Sequence, residues 1–160
     1  MRAACLALAT LLAGLPILAS AEDIIEWTTS RSGGSVIEIP VFMTEGWVRG
    51  FLEGDEDFGT AFEPVDYPVQ LRQYRTKSSE RPYSYLKRAL GEDGSKITYT
   101  FDQPHLGAIS GYSPDGEFVF YGMCRLETVV VCFDMNWKKE AQDMFAPIVE
   151  RVAQSFRRSR

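Results

Sequence analysis

The chain has 160 residues, with 17 basic and 22 acidic side chains, one histidine and a formal net charge of −5. That acidic balance excludes nucleic acid as the main partner, because neutralising phosphates needs a basic face. The length suits one domain with an ordinary hydrophobic core, so no metal is needed to hold the fold.

The amino terminus reads as a cleavable secretory signal. Arg2 supplies a positive start, Ala4 to Leu18 is apolar apart from Thr10, and Ala19-Ser20-Ala21 places small residues where a signal peptidase requires them. Cleavage between Ala21 and Glu22 is the expectation, and it puts the mature protein in the periplasm or outside the cell. A membrane anchor needs about 20 consecutive apolar residues, and this run is shorter and interrupted by Gly14 and Pro16. Cys5 lies inside the run, not just after the small residues, which argues against a lipid anchor. Processing leaves 139 residues with 16 basic and 22 acidic side chains, a formal charge of −6.

Residues 22–35 mix the apolar Ile24, Ile25 and Trp27 with a Ser- and Gly-rich stretch, and the reading is a flexible segment, loosest at Gly33-Gly34. A single domain is expected over 36–157. Its first strand runs from Val36 to Phe42, where Pro40 removes a donor and points to an edge or a strand end. Gly46 to Leu52 is a second extended piece. The acidic stretch Glu53, Asp55, Glu56 and Asp57 precedes two strands, Phe58 to Glu63 and Pro68 to Arg75. In the latter, Val69, Leu71 and Gln73 make a mainly apolar face against Gln70, Arg72 and Tyr74. Pro82 and Gly91 bracket a short helix, with Tyr83, Leu86 and Leu90 on one stripe.

Four strands follow, at Lys96 to Phe101, Leu106 to Tyr112, Glu117 to Arg125 and Val129 to Trp137. Ser113-Pro114-Asp115-Gly116 turns between the middle two. The last two are apolar on both faces, as in a sheet covered on both sides. Lys138 to Arg157 then reads as an amphipathic helix, in which Pro147 marks a bend or the start of the main helical segment. Arg157, Arg158 and Arg160 lie beyond the last apolar residue, so 158–160 read as a solvated basic tail. The fold class is α+β: a mostly antiparallel sheet of six to seven strands, with the short helix and the long C-terminal helix packed on it.

Cys124 and Cys132 are the two cysteines left after processing, and an even count in an oxidising compartment makes a disulfide the default. Their spacing of eight gives them equal parity on adjacent hairpin strands, and closing so short a loop contributes on the order of 2–3 kcal/mol. A metal pair or redox couple is the alternative, but one histidine makes a poor zinc set and no CxxC is present. The turn this pairing requires, Glu127-Thr128-Val129, lacks the usual glycine or asparagine.

The stretch from Ser84-Tyr85-Leu86, through Ile109-Ser110-Gly111 and the two cysteines, to the helix Ile148 to Phe156 closing on Ser155-Phe156-Arg157 resembles small exported bacterial proteins of unknown function. More distantly it is similar to the PsbP/Mog1-like α/β/α sandwich, over roughly 36–157. The resemblance implies that sandwich and an accessory or binding role, by analogy alone. It departs at Trp137-Lys138, where a proline is expected to start the last helix.

No constellation of reactive groups stands out. His105 is the one imidazole and lies in a loop entering a strand without a nucleophile elbow beside it, so it reads as a surface or capping residue. Glu53, Asp55, Glu56 and Asp57 form a possible acidic contact loop, but their spacing does not fit an EF-hand and a solvated loop is the expectation. Phosphate loops, dinucleotide fingerprints and HExxH are missing from the sequence. The reading is a non-catalytic, monomeric, exported accessory or binding protein of the bacterial envelope. It has no cofactor or metal, does not span the membrane once mature, and takes an unknown envelope protein or glycan as partner. The alternative is a small carboxylate hydrolase acting on glycan or peptide, with stacking surfaces drawn from seven tyrosines and three tryptophans.

Overall fold

A computed structural model describes residues 25–53, 57–91 and 94–159, with the side chains of 51–53 and 57 excepted. The segment expected to be a signal, with the expected cleavage between Ala21 and Glu22, and residues Asp55 and Glu56 lie outside the described residues.

Trp27–Ser32 (β1) and Ser35–Pro40 (β2) form an antiparallel hairpin. Gly33 and Gly34 make its two-residue turn, with φ of 54° and 83°. This corrects the expectation of flexibility over 22–35, which fails from Trp27 onward. Two consecutive glycines are what a tight hairpin turn with left-handed residues demands. The strand expected over Val36 to Phe42 stops at Pro40, and Val41–Thr44 winds into a 3-10 turn that buries Met43.

Among the described residues the fold has ten strands and two α-helices in all. Trp47–Glu53 (β3), Asp57–Glu63 (β4) and Val69–Thr76 (β5) form one meander. After the helix Pro82–Leu90 (α1) come Lys96–Gln103 (β6), Leu106–Tyr112 (β7), Phe118–Leu126 (β8) and Val130–Lys138 (β9). Gln142–Ser155 (α2) and Arg157–Arg158 (β10) close the chain. One antiparallel sheet has seven strands in the order β3-β4-β5-β9-β8-β7-β6, and a second has the order β1-β2-β10.

The smaller sheet escapes the sequence reading because β1 is Trp-Thr-Thr-Ser-Arg-Ser and β10 is Arg-Arg, neither with an apolar alternation. The tail expected to be solvated is likewise held. Arg157 and Arg158 pair with Val36 and Ser35, Ser159 donates its N–H to the Gly34 carbonyl at 2.9 Å, and Arg158 bridges Glu127 at 3.0 Å. The two arginine side chains stay exposed while their backbone closes the edge of β2. α2 is one helix with Pro147 inside it, not a first turn followed by a helix beginning at Pro147.

The large sheet is covered on both faces. On one, α2 and the small sheet bury Leu71, Phe133, Met135 and Trp137 against Ile37, Phe145, Ile148 and Val152. Gln73, fully buried, ties the sheets together: its Nε2 donates to the Ser35 carbonyl at 2.9 Å, and its Oε1 accepts from the Ser30 hydroxyl at 2.6 Å. On the other face α1 sets Tyr85 and Leu86 over Ile109, Phe120 and the cysteine pair. Gly122 permits that approach, since a side chain there would strike Leu90 and Leu86. Cys124 and Cys132 stand directly opposite in the β8–β9 hairpin, both fully buried, and their sulfurs are bonded.

Candidate functional site

Strand parity assembles a polar strip on the face that α1 only partly covers. Gln70 lies opposite Asn136, Arg72 opposite Asp134 and Tyr74 opposite Cys132 along the β5–β9 pair. Asn136 in turn faces Phe120 on β8, and Asp134 faces Gly122. Because α1 rests over β7 and β8 and ends at Leu90, no described residue covers the floor beyond its C-terminus. The result is a cleft of about 360 Å³, with Gln70, Arg72 and Asn136 in its floor and Leu90, Pro114 and Phe118 around it.

The electrostatics beneath the cleft are closed on themselves. Asp134 is 2 % exposed, a depth at which a carboxylate needs a partner. Arg72 supplies it as a fork: Nε donates to Oδ1 and Nη2 to Oδ2, both at 2.9 Å. Burial, with the Asp134 charge adding to it, holds the Tyr74 phenol well above its ordinary range, and Tyr74 is hydrogen-bonded to that carboxylate. The guanidinium also sits 5.4 Å from the centre of the Tyr74 ring.

A second polar row crosses four strands beside this pair. Arg49 and Gln70 both donate to Glu63 Oε1, at 2.8 and 2.7 Å, and Asn136 Nδ2 donates to Gln70 Oε1 at 3.5 Å. Each charge in the row has an opposite neighbour. Among the described residues the strip therefore offers amide groups and aromatic surface rather than net charge.

The residues singled out from sequence do not converge here. His105 is exposed in the turn between β6 and β7, where its carbonyl accepts the Leu126 N–H at 2.9 Å. Glu53 and Asp57 face each other across the β3–β4 hairpin, and their side chains, with Asp55 and Glu56, lie outside the described residues. Among the described residues no three His, Cys, Asp or Glu side chains gather as a metal set. The Arg72–Asp134 pair carries the site, and its sequence signal is plain in retrospect. Asp134 is the lone charge inside Val-Val-Val-Cys-Phe-Asp-Met-Asn-Trp, a strand apolar on both faces, and Arg72 lies on the polar face of β5. No helix among the described residues is long and apolar enough to cross a membrane.

No protein-family model and no curated protein sequence matches the chain. Among solved structures it is similar to the solution structure of cyanobacterial PsbP (CyanoP) from Synechocystis sp. PCC 6803. The TM-score is 0.60 at 10 % identity, covering 92 % of this chain and 99 % of that one. Likeness at that identity is likeness of fold, and it agrees with the sheet and helices described above. The chain carries a PsbP-like α+β fold.

Proposed function

We propose that this is an exported, non-catalytic accessory or binding protein of the cell envelope, which engages its partner through the cleft beside α1. The observation that carries the reading is the fate of Asp134. Arg72 bonds both of its oxygens, and Tyr74 shares the same carboxylate, so the buried acid under the cleft is not poised to move a proton. The buried disulfide supports life in an oxidising compartment, as the proposed signal over 1–21 does.

The test compares the exported chain with Gln70→Leu, each immobilised and challenged with envelope extract, alongside a turnover assay on glycan and peptide panels. The expected outcome is retention of an envelope component by the native chain, its loss with Gln70→Leu, and no turnover by either. Turnover abolished by a substitution in the cleft reverses the reading.

A further inference from the structure

We propose that the ligand of the cleft beside α1 is a neutral saccharide of one or two rings. The inference deepens the binding role above and rests on it. Four features of the site converge on this chemistry.

The floor presents amides. Gln70 and Asn136 stand side by side at one register position; Gln70, held between Glu63 and Asn136, orients the Asn136 amide, and a planar amide offers a donor and an acceptor at the spacing of two neighbouring sugar hydroxyls. Asn136 spends one N–H on Gln70, and no other described residue takes its carbonyl or second N–H, which face the ligand's hydroxyls in this proposal. Beside the amides is an aromatic surface. Phe118 and Phe120 lie on the same face of β8, two residues apart. Phe118 is 40 % exposed at the mouth, where its ring can take the C–H face of a pyranose.

Charge is the third feature. Among the described residues Arg72 is matched to Asp134 and Arg49 to Glu63, so an anionic ligand would find its counter-charges already engaged. A neutral ligand loses nothing by this. The fourth is position. The floor lies in the middle of the sheet, where β5 and β8 are both hydrogen-bonded to β9. An extended peptide cannot add there as a strand, which removes the main-chain hydrogen bonds that give such peptides their affinity. The cleft volume of about 360 Å³ falls at the lower end of the range of small-ligand sites, about 300–1,000 Å³.

The experiment titrates the isotope-labelled exported chain with maltose, cellobiose and chitobiose to about 10 mM, and with a mixed hexapeptide pool, following amide resonances by NMR. The expected result is saturable movement of the Gln70 and Asn136 side-chain amides with at least one disaccharide. Phe118→Ala and Asn136→Leu should each weaken binding about tenfold while the thermal midpoint holds. Because Phe118 is exposed, its variant keeps the test decisive if Asn136→Leu unfolds. No movement with any disaccharide, movement with peptides alone, or movement mapping away from the cleft overturns the proposal. Extract retention lost with Gln70→Leu but without a saccharide response fails this inference and leaves the broader one standing. Loss of both responses fails the two together.

Discussion

Arg72 and Asp134 form a pair in which each partner needs the other, because a carboxylate this buried cannot keep its charge unaccompanied. Arg72→Leu should cost about 3–5 kcal/mol, and adding Asp134→Leu should restore much of that loss. Urea unfolding at neutral pH checks both variants. A single variant within about 1 kcal/mol of the native chain defeats the argument. Tyr121 gives a pH-dependent counterpart. Its phenol is pushed up to about 12, chiefly by burial and then by Tyr99, so the folded chain holds this proton more tightly than the unfolded one. The stability it contributes is complete below about pH 10 and is lost as pH rises toward 12. Tyr121→Phe should flatten that slope in unfolding measured across this window, leaving the part owed to Tyr74, whose shift has the same sign. At this scale the sequence is informative about polarity and silent about partners. Alternation assigns Arg72 to the polar face of β5, but Asp134 lies 62 positions away and only the pairing of β5 with β9 brings them together.

α1 is held where it is by an absence. Gly122 lies under Leu86 and Leu90, and a β-carbon there would meet Leu86 Cδ2 at 2.8 Å and collide with Leu90. Gly122→Val should therefore displace the Leu86 and Leu90 side chains and cost about 1–3 kcal/mol, read as a lower thermal midpoint and a changed near-ultraviolet circular dichroism spectrum. Retention of the native midpoint would show that α1 has slack. The bounds of this helix, Pro82 to Leu90, are written locally by the proline and Gly91 that bracket it. β1 and β10 are not legible in that way, since their pairing with β2 is set by docking rather than by an apolar pattern of their own. α2 is intermediate. Its apolar stripe is readable, while Pro147 falsely suggests a break that the packing of Phe145, Ile148, Val149 and Val152 overrides.

The molecule as a whole must protect its sheet edges. β10 caps β2, so a chain ending at Phe156 loses the pairing of Arg157 and Arg158 and the Arg158–Glu127 bridge. That truncation should lower the thermal midpoint by several degrees and raise the tendency to associate, measured by light scattering. An unchanged midpoint would mean the strand is ornamental. On the large sheet the outer strand β6 carries a register shift between Ile97 and Tyr99, a device that spoils pairing with a second chain. Sequence patterning recovers nearly every strand of this sheet but not their order, because neighbours such as β5 and β9 are joined by distance in space and not by a turn.

The central position of β9 has a temporal consequence. It is the fourth of seven strands across the sheet yet the last of them to be synthesised, and it alone joins the β3-β4-β5 meander to β6-β7-β8. Until residues 130–138 have left the ribosome, the two half-sheets have no seam and the interior has no floor. A nascent polypeptide therefore joins its two half-sheets only when this last-made strand emerges, so the seam of the large sheet closes late.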